Sequence, residues 1–232
     1  MELPDTFAHP LCSCFLSCYL SKGEDAANFP PDEFPHLFAR YEKLFDSALQ
    51  VLGLTKDDLK RRSEFNFDSG DAANLESGIA ILRVVEALRL SNFLHIALIS
   101  PKGNGPSADL TCEKNGQKVC LEVKCITKRS SGRRGLFLRD QLYEKILESI
   151  AKARTQLEAS SSDMHCPVRV FACVVNWFAQ SIHLSGSDYQ CVVNRLERNR
   201  DQESLKGVDG VLFVTKAGQQ FWFLNECGKC IE

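Results

Sequence analysis

The sequence predicts an α/β domain behind a helical N-terminal appendage. Three observations lead there: an apolar period of three and four over residues 34–52 and again up to Leu90, a switch to a period of two after it, and a long helical stripe between two strand-like runs. A length of 232 residues with 44% apolar composition suits one ordinary domain or a domain with an appendage, and rules out disorder and a fibrous protein. The boundary is placed at the polar stretch 63–73, giving an appendage over 1–70 and the main domain over 71–232.

Residues 1–30 lack periodicity and end at Pro30-Pro31. Leu37, Phe38, Tyr41, Leu44, Phe45, Ala48 and Leu49 then predict an amphipathic helix from Phe34 to Leu52. Thr55, with Asp58 three residues on, predicts a short capped helix. Asp71 or Asn74 would cap the next helix, whose stripe is Leu75, Ile79, Leu82, Val85 and Leu88 or Arg89. Alternation predicts strands at Phe93–Ile99, Ala108–Cys112 and Lys118–Ile126, the last two joined by Asn115-Gly116, a hairpin signal. Leu142, Ile146, Ile150, Ala153 and Leu157 mark a helix from about Leu138 to Ala159. Val168–Trp177 reads as a buried strand, and Val211–Thr215 with Gln219–Leu224 as a closing hairpin at Ala217-Gly218.

The formal net charge of −2 argues against binding nucleic acid through overall charge. Its distribution changes that. Residues 1–71 carry 13 acidic and 7 basic side chains, so the remainder is net +4. Residues 128–139 hold five basic groups and no acidic one, and Lys128, Arg129, Arg133 and Arg134 are candidates for gripping phosphates; the alternative is a solvated loop. Eleven cysteines are an odd count in a chain longer than the small disulfide scaffolds, so most are expected as thiols in a reducing, cytoplasmic setting. No run approaches a membrane span, and no membrane role is expected. Cys12, Cys14 and Cys18 with Cys227 and Cys230 leave a zinc site or iron–sulfur cluster as a minor alternative. His95 is read as structural, and no P-loop, Ser-His-Asp set or Rossmann fingerprint is present.

Chemistry concentrates on one strand. Alternation puts Cys120, Glu122 and Lys124 on one face of Lys118–Ile126 and Val119, Leu121, Val123 and Cys125 on the other. Asp109 lies 13 residues before Glu122, so the hairpin can bring the two carboxylates together. Adjacent carboxylates repel, and burying them is costly without a cation. Oxygen ligands of this kind suit Mg²⁺, with Mn²⁺ as a substitute, and Lys124 would sit beside a metal-bound water to help attack a phosphodiester. A plainer alternative is that Glu122 and Lys124 pair on an exposed sheet edge.

Asp109, then Glu122-Val123-Lys124 across a hairpin, resembles the PD-(D/E)xK nuclease superfamily, the restriction-endonuclease-like fold. The preceding helix ESGIAILRVVEALRL strengthens the match, because many members carry an early glutamate there; Glu76, 33 residues before Asp109, is spaced as in the archaeal Holliday-junction resolvase and Mrr-like branches. The resemblance covers about residues 72–178, and departs from the pattern where Pro106 is separated from Asp109 by Ser107 and Ala108. It implies a core of helix, three strands, helix and strand, and a Mg²⁺-dependent nuclease, most often a DNA endonuclease leaving 5′-phosphate and 3′-hydroxyl ends. Asp109, Glu122 and the Val123 carbonyl would hold metal, Lys124 would orient water, and Glu76 would support the site. Gln156, and less directly Lys152 or Gln141, would join from the following helix; Glu76 is alternatively a helix-dipole acid, Glu86 a solvated one. RNA as substrate, a homodimer, and a non-catalytic nucleic-acid or protein binding module on the same fold remain open, as does an α/β domain whose acidic pair is incidental.

Overall fold

The computed structural model describes residues 34–62, 65, 72–100, 106–126, 139–175, 184–215 and 218–226. By internal contacts the chain divides into two units, one up to Glu86 and one from Ala87.

In the first unit, helix α1 spans Phe34–Leu52, the range its apolar period predicts. Tyr41, Phe45, Ala48 and Leu49 of that stripe are buried. Helix α2, Lys56–Lys60, starts from the expected box: the Thr55 hydroxyl accepts the Asp58 N–H while the Asp58 carboxylate accepts the Thr55 N–H. The expected polar linker is shorter than 63–73, because Phe65 is buried and Ala72 and Ala73 already belong to helix α3, Ala72–Leu90. Along α3, Ile79, Ala80, Ile81, Leu82, Val84, Val85, Ala87 and Leu88 are all buried. One stripe was expected, but a helix that is apolar on every side is a core helix. Glu86 is not simply solvated: its Oε2 accepts the Ser47 hydroxyl at 2.6 Å.

The second unit is a mixed six-stranded sheet with strands in sequential order. Its elements are β1 (Leu94–Leu98), β2 (Leu110–Lys114), β3 (Gln117–Ile126), α4 (Arg139–Met164), β4 (Val168–Val175), α5 (Gly186–Arg198), β5 (Gly210–Val214) and β6 (Gln220–Leu224). β3, β4 and β5 are mutually parallel, and the other neighbours antiparallel. The expected order of helix, three strands, helix and strand is therefore present, with the closing hairpin after it. Helix α5 was not anticipated. Parallel neighbours need a crossover, and α5 is the one between β4 and β5. Its signals are in the sequence: Ser185 and Asp188 form a capping box, and Tyr189, Val192, Val193 and Leu196 recur at three and four and are buried.

Between β2 and β3, Asn115 and Gly116 take φ of 51° and 77°, the two left-handed residues of a tight hairpin turn. β1 carries an irregularity between Leu94 and Ala97, where His95 has φ 51°, so the expected alternation through His95 breaks and this side chain is exposed. Helix α4 runs five residues past the expected Ala159. It buries Leu142, Ile146, Ile150, Ala153 and Leu157 against Cys120 and Ile126 of β3, Phe171 and Cys173 of β4, and Val211 and Phe213 of β5. Each fully buried leucine or isoleucine there contributes roughly 1.5–3 kcal/mol. The helix that leaves β3 is thus pinned over the sheet face that carries Cys120, Glu122 and Lys124.

None of the six described cysteines forms a disulfide. No described helix is long and apolar enough to cross a membrane.

Candidate active site

Glu122 and Lys124 project from the α4-side face of β3, a strand bonded to β2 on one side and β4 on the other. The exposed-edge reading of this pair fails, because β3 is interior and Glu122 is 1% exposed. Lys124 donates from Nζ to Glu122 Oε1, while remaining 37% exposed. Glu122 Oε2 receives no hydrogen bond from a protein donor.

Asp109 arrives from the other strand of the hairpin. The regular β2–β3 register ends at Leu110↔Leu121, and Asp109 lies one residue beyond it. Its N–H donates to the Leu121 carbonyl and its carbonyl accepts the Ile99 N–H, so both neighbouring strands hold its backbone. Its Oδ2 accepts the Val123 N–H at 2.7 Å. A side-chain oxygen thereby takes the place of a ladder acceptor where β2 leaves β3. The carboxyls of Asp109 and Glu122 come within hydrogen-bonding reach.

Burial in an apolar core and then the adjacent Asp109 charge push the Glu122 carboxyl well above the usual carboxylate range, to about 8, against the opposing pull of the Lys124 ammonium. Near neutral pH the pair holds one proton between its two carboxyls. A cation in place of that proton would relieve the same repulsion. The two hard oxygen donors and the single lysine form a donor set that fits Mg²⁺, which takes one or two carboxylates and otherwise water and phosphate. Among the described residues no group of three or more His, Cys, Asp and Glu side chains converges on one point, so a closed, thiolate-rich cage of the zinc or iron–sulfur kind is not part of them.

The remaining expected residues distribute unevenly. Gln156, on α4, donates from Nε2 to the Ser107 carbonyl at 3.2 Å, two residues ahead of Asp109, and so meets the backbone of the site. Lys152 is not brought to the carboxylates: it is exposed and pairs with Glu148 one turn away. Gln141 is likewise exposed, at the far end of α4. Glu76 falls in the early part of α3, and its side chain lies outside the described residues. So do Lys128, Arg129, Arg133 and Arg134, together with Cys12, Cys14, Cys18, Cys227 and Cys230. A second charged feature was not anticipated. Between α4 and α5 lies a cleft of about 250 Å³ lined by Arg139, Asp140, Tyr143, Arg195 and Arg198. Arg195 stacks 3.8 Å from the Tyr143 ring centre and pairs with Asp140 and Glu144, so its charge is largely balanced in place.

Fold and site together define an α/β domain in which a buried glutamate and a lysine on one interior strand meet a half-buried aspartate at the start of the neighbouring strand. No protein-family model matches the chain, and no curated protein matches it. Among solved structures, the chain is similar to the CdiA-CT/CdiI toxin and immunity complex from Burkholderia pseudomallei at 13% identity, covering 67% of this chain and 89% of that chain with a TM-score of 0.37. A likeness at that level bears on neither fold family nor function.

Proposed function

We propose that the chain is a Mg²⁺-dependent nuclease with a restriction-endonuclease-like core, acting as an endonuclease on DNA. The observation that carries the reading is the Asp109–Glu122 pair: a buried carboxyl on an interior strand meets a half-buried one from the same hairpin, with Lys124 beside them. Fully ionised, the two carboxyls would set two negative charges against the single Lys124 ammonium, an imbalance that a bound cation would offset. The order of helix, three strands, helix and strand around that hairpin supports the same reading.

Asp109 and Glu122 would hold the metal, with the Val123 carbonyl as a third donor. When bound, Mg²⁺ supplies Lewis acidity toward a phosphate oxygen and toward the attacking water. The chain's own part is then to place and hold charge. Glu122 would have to be ionised to serve as a ligand, and Asp109 is kept in register by the Val123 N–H it accepts. Lys124, held against Glu122 Oε1, has a partly exposed ammonium on the same face, from which it can orient water and offset the negative charge that grows on the phosphate. Lys128, Arg129, Arg133 and Arg134 would hold the flanking phosphates. A cytoplasmic setting suits six described cysteines without a disulfide.

The test is cleavage of supercoiled, branched and single-stranded DNA, and of RNA, with Mg²⁺ or Mn²⁺, beside Asp109→Ala and Lys124→Ala. Wild-type cleavage abolished in both variants is the expected result. Equal activity in all three proteins removes the assignment. Mg²⁺ uptake that Glu122→Ala abolishes, with no substrate cut, instead makes the chain a binding module on the same fold.

A further inference from the structure

We infer that Ser160 is a positioning residue for Asp109: its hydroxyl, reaching down from α4, sets where the Asp109 carboxylate stands relative to Glu122. Ser160 is 5% exposed, and its Oγ accepts the Ala108 N–H at 2.8 Å across 52 residues of sequence. Gln156, one turn earlier on the same helical face, donates to the Ser107 carbonyl at 3.2 Å. Between them, Leu157 accepts the Cys120 thiol through its carbonyl at 3.8 Å, on the site face of β3 two residues before Glu122. One turn of α4 therefore holds both approaches to the acidic pair.

The reason this matters to the site lies in where the β2–β3 ladder stops. From Leu110 onward β2 is held by its register with β3, so its side-chain directions follow from the sheet. Ser107 and Ala108 lie before that ladder, and the Ala108 N–H, which continued pairing would hand to a strand, goes to a helix side chain. Asp109 is the junction between the two regimes. Its own strand bonds, to Leu121 and from Ile99, fix its height in the sheet, while the path through Ser107 and Ala108 fixes the angle at which its Cβ leaves the backbone. A buried serine is costly in a helix unless its hydroxyl is used, and this one is used on the residue next to the candidate ligand.

This deepens the nuclease reading, yet its primary readout needs neither metal nor cleavage. The Val123 N–H donates to Asp109 Oδ2, so its amide hydrogen exchange reports the Asp109 position directly. Ser160→Ala is expected to lower Val123 protection at least tenfold while Val119 and Val170, on the same sheet, stay within twofold of wild type. Ser160→Thr, which keeps the oxygen, should return Val123 to within threefold. Parallel loss at all three amides marks a purely structural role and overturns the inference, as does unchanged Val123 protection. Should Ser160→Ala not fold, Gln156→Ala is read in the same way, since it releases the other hold on the segment. In the same proteins, half-saturation by Mg²⁺ should rise at least fivefold in Ser160→Ala and recover in Ser160→Thr. If the wild type takes up no Mg²⁺, the metal reading fails while the Val123 result still decides the role of Ser160.

Discussion

Replacing Glu122 by glutamine should make the metal-free protein more stable, and increasingly so as pH rises. In the folded chain the Asp109–Glu122 pair keeps a proton up to about 8, whereas a solvated glutamate releases it near 4.5. Between those values the folded state binds one proton more than the unfolded state, so stability falls with rising pH; the loss begins above 4.5 and is complete above about 8. The slope is about 1.4 kcal/mol per pH unit, about 5 kcal/mol across the whole window. Glutamine keeps the shape and a hydrogen-bonding group for Lys124 but carries no charge to be buried. Urea denaturation of both proteins in EDTA at pH 5, 6, 7 and 8 isolates the effect, because every other titrating group is common to the two. The difference in unfolding free energy, variant minus wild type, should climb steadily in favour of Glu122→Gln. Parallel curves across that range would refute the Asp109–Glu122 pair as the holder of that proton, and a climb toward low pH would reverse the sign of the whole electrostatic account.

Metal uptake should run the other way, since a cation displaces the shared proton. Millimolar Mg²⁺ is expected to raise the wild-type melting temperature more at pH 8 than at pH 6 and to leave Glu122→Gln unmoved, as read by a thermal-shift titration. Ser185→Ala removes the box that starts α5 and should cost about 1 kcal/mol in urea denaturation, with no effect on Mg²⁺ uptake. Gly116→Ala forces a side chain into a left-handed φ of 77° at an otherwise open position, so about 1–2 kcal/mol should be lost from backbone strain alone, measured by the same denaturation.

Elements with a strong local signal were legible in the sequence. The three-and-four period placed α1 at Phe34–Leu52, the Thr55 box placed α2, and Asn115-Gly116 placed the β2–β3 turn. Helix α5 carries an equally clear local signal in its Ser185 box and its Tyr189, Val192, Val193 and Leu196 stripe, and the parallel run of β4 and β5 makes a crossover obligatory. Other features were not in the sequence to be found. The all-round burial of α3 depends on what encloses it, and the irregularity at His95 depends on β1 fitting β2. Within α4, Lys152 and Gln156 are both polar helix residues, and only packing separates the exposed one from the one that meets Ser107.

By itself the sequence determined the class of architecture, the hairpin that can join Asp109 to Glu122, and the shared face of Glu122 and Lys124. Each of these follows from short-range periodicity and turn chemistry, which the chain carries residue by residue. The tertiary structure alone decided that β3 is interior, that Glu122 is buried beside Asp109, and that Ser160 reaches the approach to Asp109 from 52 residues away. Burial, desolvation and long-range hydrogen bonds are properties of what surrounds a residue, and the surroundings exist only once the sheet and α4 have closed over one another.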